Sequence, residues 1–342
     1  MLSNKDASQY RTTDRRDKSR ESAMSSLKVI GILGCNFCGS TALSAILDCL
    51  PHVLSVGETH RLIDRAWGCK KCTYILCEKC KACPGCTDTR PCKECRDCLD
   101  CQFIPCSSHG GCRECGDAPC PIFTAELLEQ LRQCPQSGDP WWKTIGDKTG
   151  FEVIVSSDKR PRHYDRLGHP DYLLMTIKNV REHVFSYARR PKTRAGEPEI
   201  FNQEDISKAI NKLVKDYRAM FEWIRELSLP LKIVSIEEVL DQPAFQIRQV
   251  CDWAGVPSVD VSFDYHAVPH HYIAGNFSVR RGKKNRVKHA NSRWQTRLTD
   301  QMQKMIVEDH RILSIADQLG NLQPDAAGSF LPTENPPVSP SP

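Results

Sequence analysis

Between residues 29 and 41 an apolar run leads into a short loop with a glycine at each end. The residues are Val29-Ile30-Gly31-Ile32-Leu33-Gly34-Cys35-Asn36-Phe37-Cys38-Gly39-Ser40-Thr41, and 42–50 continues as a helical stretch. Gly34 and Gly39 permit a tight turn. The helix start then offers free backbone N–H groups and the positive end of the helix dipole, a site for an anion. The spacing is that of a phosphate loop with one change: Ser40 replaces the lysine that contacts the β- and γ-phosphates of a nucleoside triphosphate. Triphosphate hydrolysis is therefore not expected, whereas a nucleotide with a shorter 5′ anion suits the loop.

A second chemistry is written in cysteine. Fourteen of the 19 cysteines fall between Cys69 and Cys120. They are Cys69, Cys72, Cys77, Cys80, Cys83, Cys86, Cys92, Cys95, Cys98, Cys101, Cys106, Cys112, Cys115 and Cys120, mostly in Cys-x-x-Cys pairs. The runs 77–86 and 92–101 read as an internal duplication. Pairs at this spacing put two thiolates on one tetrahedral zinc, and four close a structural site. Fourteen thiols suffice for three such sites with two left over, and His109 is a spare ligand. An iron–sulfur arrangement and a set of disulfides or free thiols remain open as alternatives. The chain shows no apolar leader stretch, so a reducing, cytoplasmic setting is expected, which favours metal over disulfides. Few large apolar residues lie in the insert, so metal would have to provide its folding energy.

These groups need a scaffold. Short apolar runs at 27–33, 152–155, 172–177 and 231–236 read as strands buried on both faces, and 51–55 as a further strand. Helical periodicity fills the gaps. Ile210, Leu213, Val214, Tyr217, Phe221 and Ile224 share one face of a long helix with Asp205 as N-cap. The alternation predicts an α/β fold: a P-loop-like parallel sheet flanked by helices, with an inserted Cys-rich metal-binding subdomain at 69–120. Residues 1–26 are expected to be a disordered polar tail, 27–320 the interrupted domain, and 321–342 a Pro/Ser-rich disordered tail. With 40% hydrophobic residues the chain can bury a large core, and no run approaches the roughly 20 residues needed to span a bilayer. The net charge of +5 fits an anionic ligand without requiring nucleic acid, and no nucleic-acid partner is expected.

Taken in series, the motifs resemble those of the sulfotransferases that use 3′-phosphoadenosine 5′-phosphosulfate (PAPS), of the bacterial and carbohydrate type. That family carries a loop of the form Gly-x-x-Arg-Ser-Gly-[Ser/Thr]-Thr around the 5′-phosphosulfate. Gly34, Gly39, Ser40 and Thr41 match it, while Phe37 stands at the basic position and Cys38 at the serine. The stretch Thr176-Ile177-Lys178-Asn179-Val180-Arg181, continuing to Ser186, is similar to the family's 3′-phosphate segment. Lys178 takes the place of its arginine and Ser186 matches its serine. The strand that ends at Ser157-Asp158-Lys159 looks like the family's Ser-Lys or Asp-Lys strand, and Lys159 is the leading substitute for the cation missing at Phe37. Downstream, His270-His271-Tyr272-Ile273-Ala274-Gly275-Asn276, followed by Arg280, is similar to a basic family loop that closes over nucleotide phosphates.

The resemblance implies a sulfuryl transfer from PAPS to a hydroxyl or amine of a small-molecule or carbohydrate acceptor. Glu58, in Val56-Gly57-Glu58-Thr59-His60, is the leading general base, with His60 the weaker candidate. Gly34, Cys38, Gly39, Ser40, Thr41, Lys178, Ser186 and Arg280 are the nucleotide-binding set that it implies. The Cys-rich insert follows the strand that carries Glu58. That position suits it to shaping acceptor specificity or to binding a protein partner. Phe37 and Lys178 also keep open a second reading, a scaffold that has lost catalysis and acts as a zinc-dependent interaction module. A third, a phosphate-loop nucleotide kinase, is disfavoured by the missing loop lysine and the lack of a magnesium-binding carboxylate pair.

Overall fold

The computed structural model describes residues 27–62, 73–87, 102–104, 112, 114–115, 118–137, 141–195, 198–275 and 293–331. Cys69, Cys72, Cys92, Cys95, Cys98, Cys101, Cys106, His109 and Arg280 lie outside the described residues, as do 1–26 and 332–342.

Five parallel strands form one sheet: β1 Lys28–Leu33, β2 Val53–Gly57, β5 Val153–Lys159, β6 Tyr172–Ile177 and β7 Leu231–Ser235. Their order is β2-β5-β1-β6-β7, so β1 is central. The period of two explains why each strand reads as continuously apolar. In β1, Val29 and Leu33 enter one core while Ile30 and Ile32 enter the other. In β6, Leu173, Met175 and Ile177 join the first core and Leu174 the second. Both faces are therefore covered, as a parallel sheet requires. The second core is roofed by α1 Ser40–Leu47 and by α9 Pro243–Ala254. The first packs under α6 Val180–Ala195 and α7 Gln203–Glu226.

The long helix α7 buries the six residues that periodicity assigned to one face. Its start differs from expectation. Asn202, not Asp205, is the N-cap: the Asn202 side chain accepts from the Asp205 N–H at 2.9 Å, and the Asp205 carboxylate accepts from the Asn202 N–H at 3.1 Å. The reciprocal pair places Asp205 three residues inside, the arrangement of a capping box.

A second correction concerns the C-terminal stretch. Residues up to Leu331 pack onto the domain instead of beginning a tail at 321. Helix α12 His310–Leu322 is followed by α13 Ala326–Phe330, and Phe330 is fully buried with its ring 5.4 Å from that of Tyr217. Ala326 and Phe330, one turn apart, form the small apolar face that the Pro- and Ser-rich composition masks.

Within the insert the described residues form a two-stranded antiparallel ribbon, β3 Thr73–Ile75 against β4 Gln102–Ile104, and a single turn α2 Glu78–Lys81. None of the described cysteines is in a disulfide. No helix among the described residues is long and apolar enough to cross a membrane.

Candidate functional site

The chain turns from β5, on one side of β1, to β6 on the other. Ligands of open parallel sheets bind beyond the carboxyl ends of the strands at such a point. The loop after β1, the end of β5 and the end of β6 all meet there.

The loop is fixed by its backbone. Gly34 N–H donates to the Lys159 carbonyl at 3.1 Å, and a Cβ on Gly34 would fall on Cys38 Sγ and Thr176 Oγ1. Gly39 has φ 92°, and a Cβ there would collide with Ile236. Phe37, at φ 69°, also takes the left-handed conformation, uncommon for a residue with a side chain. Helix α6 holds the loop from below. Asn36 N–H donates to Tyr187 Oη at 3.1 Å, Tyr187 donates to Asp216 at 2.6 Å, and His183 Nε2 donates to the Asn36 carbonyl at 2.8 Å. Burial, with Lys178 adding to it, pushes the His183 pKa down to about 3, so this imidazole is neutral and can hold that tautomer.

Ser40 and Thr41 open α1 and so lie at the positive end of its dipole. Cys38 is turned inward: its amide bonds to the Cys35 carbonyl and its Sγ accepts from Thr176 Oγ1 at 2.8 Å. It supports the loop from beneath. Phe37 is 37% exposed and packs edge-on against Tyr187, so this position supplies an aromatic ring where a cation was expected.

Cations come from the end of β5. Between Ser156 and Lys159 this strand holds one residue more than its β1 partner, and the bulge re-aims the strand end. Lys159 sits at φ 69°, a strained conformation of the kind that clusters at functional sites. Its Nζ is hydrogen-bonded to Glu58 Oε1, and Arg61 Nε lies 3.5 Å from Oε2. The structure thus brings together Glu58 and Lys159, 101 residues apart in sequence. Burial opposes charge on Glu58, but Lys159, with His60 and Arg61, outweighs it and holds the carboxyl below the usual range. Glu58 is therefore ionised at neutral pH, the state from which a base must start.

Beneath this pair lies Asp158, wholly buried, which sequence reading had not singled out. It accepts from Thr59 Oγ1 at 2.6 Å, from the His60 N–H at 2.8 Å and from Ser156 Oγ at 2.5 Å, and meets His60 Nδ1 at 2.5 Å. Burial pushes the Asp158 pKa up, but the bonds from His60, Ser156 and Thr59 prevail and hold it below the ordinary range. His60 is stacked on His163 with ring centroids 3.7 Å apart, and His163 Nδ1 bonds to the Asp158 carbonyl at 2.7 Å. His60, Asp158 and His163 come close enough to suggest a metal triad, but they already bond directly to one another. His60 is buried and oriented two residues from Glu58.

At the end of β6, Lys178 Nζ pairs with Glu182 Oε1 at 2.5 Å. Lys178 lies in the connection between β6 and α6, and Glu182 and Ser186 follow four residues apart on one face of that helix. Glu237 accepts from the Asn179 N–H at 3.0 Å. Burial, then Glu182, raises the Glu237 pKa to about 7 against the opposing pull of Lys178. Arg181 places its guanidinium over Trp294 at 5.7 Å. The Lys178 cation thus works among acidic neighbours, a feature invisible in the linear motif.

A separate cluster lies at the end of the Cys-rich insert. Cys112, Cys115, Cys120 and His271 bring their ligand atoms within 4.8 Å of one another. The His271 Nδ1 lies 3.7, 3.5 and 3.5 Å from the three sulfurs in that order. The hydrogen bond between Cys112 and Cys120 lowers the Cys112 thiol, with burial opposing and His271 helping, and raises Cys120, so the thiols share their protons. The linear pattern marked the three cysteines but offered His109 as the spare ligand. His271 escaped because it lies 151 residues beyond Cys120; its only local signal is the pair His270-His271.

No family model matches the chain. No curated protein matches it in sequence. Among solved structures it is similar to the sulfotransferase domain from the curacin biosynthetic pathway, with 15% identity, a TM-score of 0.47, and coverage of 86% of this chain and 98% of that one. It is similar also to a mouse sulfotransferase complexed with PAP, at 10% identity, TM-score 0.42 and 90% of each chain. A Mycobacterium avium sulfotransferase follows at 12% identity, TM-score 0.41, 84% of this chain and 76% of that one.

Proposed function

We propose that the protein is a PAPS-dependent sulfotransferase acting on a hydroxyl or amine of a small-molecule or carbohydrate acceptor. The observation that carries this reading is that the loop beginning at Gly34 and the Glu58–Lys159 pair share the end of β5, with the Lys178–Glu182 pair at the end of β6. In this reading the amides at the start of α1 receive the 5′-phosphosulfate. Lys178 and Ser186 receive the 3′-phosphate, and Lys178 exchanges part of its pairing with Glu182 for it. Arg280 belongs to the nucleotide set through the sequence resemblance alone.

The acceptor oxygen or nitrogen attacks sulfur and forms the new bond. Glu58 takes its proton. The bond from sulfur to the bridging oxygen breaks, and the electron pair leaves with the 5′-phosphate of 3′-phosphoadenosine 5′-phosphate (PAP). Lys159 neutralises charge that grows on the transferring group, the role the family gives to a loop cation and usually the largest catalytic contribution. Because Glu58 is paired with Lys159 at rest, the acceptor must enter that pair to be deprotonated. His60, held by Asp158, is the second proton-accepting group. Zinc in the Cys-rich insert belongs to this reading as a structural element.

Release of PAP from PAPS, followed with a panel of hydroxyl and amine acceptors, tests the proposal. Acceptor-dependent release that falls about 10²–10⁴-fold in Glu58→Gln supports it. Nucleotide binding with no release for any acceptor class favours the scaffold that has lost catalysis, the reading that Phe37 prompts.

A further inference from the structure

The cluster of three cysteines and His271 has the dimensions of an ion site. A tetrahedral zinc holds a thiolate sulfur at about 2.3 Å and an imidazole nitrogen at about 2.0–2.1 Å, which sets sulfur and nitrogen about 3.6 Å apart. The three separations here are 3.7, 3.5 and 3.5 Å. Three thiolates and one imidazole fill all four positions, which marks a structural centre with no place for substrate. Cys112 and Cys120 are buried against the main core, alongside Phe123 and Leu127.

The position of His271 gives the centre a task. The next residues run along the outer edge of β2, which ends the sheet. Ile273 N–H donates to the Val56 carbonyl at 3.0 Å, and the Ala274 carbonyl accepts from the Glu58 N–H at 2.8 Å. Gly57, at φ 74°, makes room: a Cβ there would collide with the Ala274 carbonyl. His270, just before this segment, is tied down as well, with its Nδ1 2.5 Å from Asp48. We infer that Cys112, Cys115, Cys120 and His271 form a structural zinc site that clamps segment 271–274 onto β2 and so positions Glu58. An open strand edge would otherwise present unpaired backbone groups. The clamp also joins the end of the insert to a segment 151 residues further along the chain. The consequence for Glu58 as a base rests on the proposed function; the zinc site and the clamp do not.

The test uses the full chain purified with zinc. Metal content is measured for the wild type, His271→Ala and His271→Cys, and backbone hydrogen exchange is followed at 53–58 and 271–275. His271→Ala is expected to lose one zinc per chain and to exchange faster in both segments, with 172–177 and 231–235 unchanged. His271→Cys, which restores four ligands, is expected to keep the zinc and the protection. Cobalt in place of zinc is expected to gain sulfur-to-metal absorption in His271→Cys relative to the wild type. Full zinc content and unchanged exchange at 53–58 in His271→Ala overturn the proposal. If that variant does not fold, a His271→Cys protein with no added sulfur-to-metal absorption overturns it instead. PAP binding by the wild type is measured on the same sample and leaves the zinc count untouched, so the two readings can fail separately.

Discussion

Two regions of this molecule hold reactive side chains, and they are fixed in different ways. At the carboxyl edge of the sheet the loop after β1 is held by backbone bonds and by Asn36, Tyr187 and His183, with the central strand beneath it. At the end of the insert, Cys112, Cys115 and Cys120 face a histidine from a distant part of the chain, and four ligand atoms are what unites them. The first site is a product of the fold. The second, once metal is bound, is a cause of it. The difference predicts that a change in the loop leaves the cysteine cluster standing, whereas loss of that cluster reaches the carboxyl edge only through the pairing of 271–274 with β2 and Glu58.

The largest expected effect lies at Glu58. Glu58→Gln keeps the size of the side chain and removes the base, so turnover falls about 10²–10⁴-fold while PAP affinity stays close to that of the wild type. Steady-state kinetics beside a nucleotide titration checks this. A parallel loss of binding would mean that Glu58 holds the loop and does not serve as a base.

Next comes the loop. Gly39→Ala forces a side chain into a left-handed conformation and against Ile236. Strain of this kind costs on the order of 1–3 kcal/mol. PAP affinity is expected to drop accordingly, about tenfold or more, while zinc content does not change. Calorimetry and metal analysis on one preparation decide it, and zinc loss in this variant would break the separation between the regions.

pH gives a smaller effect with a definite sign. Glu58 and Asp158 have folded-state pKa values below their ordinary ones. Their contribution to stability is therefore present above the unfolded carboxylate pKa and lost as pH falls through the lower, folded value. The Glu58 and Asp158 contribution to the melting temperature should therefore hold steady from neutral pH to the ordinary carboxylate range and decline below it. Asp158→Asn should lower the plateau and flatten the decline.

The smallest effect is at Glu237, raised to about 7 by burial and Glu182. The folded state favours its protonated form, so its contribution to stability is full below the unfolded carboxylate pKa and is lost as pH rises through about 7. A phosphate beside Lys178 adds negative charge, so PAP should bind more tightly at pH 6 than at pH 8, and less so in Glu237→Gln. Titrations at the two values check it.

Much of the carboxyl edge was legible in the chain. Gly34, Gly39, Ser40 and Thr41 fall within one short stretch, and a strand, a loop and a helix are local objects with local signals. Lys159 was legible as a strand end, though not its ion pair with Glu58, since a contact across 101 residues leaves no mark in either segment. Asp158 was passed over because a buried carboxylate looks like any Asp-Lys turn until Thr59, Ser156 and His60 surround it. The acidic surroundings of Lys178 were hidden for the same reason: Glu237 arrives from the end of the neighbouring strand β7, 59 residues later in the chain. In the insert the Cys-x-x-Cys spacing marked candidate metal ligands, but spacing cannot choose a fourth partner, and His271 came from topology. The terminal helix Ala326–Phe330 was hidden by a composition that suits a tail.

The most direct test of the central claim is a calorimetric titration of the zinc-replete protein with PAP, with ATP as the control. The account predicts saturable binding of PAP, much weaker binding of ATP, and a loss of about tenfold or more in Lys178→Ala and Ser186→Ala, the scale of a hydrogen bond to a charged group. Folded, zinc-loaded protein that does not bind PAP, or that binds ATP equally well, would contradict it.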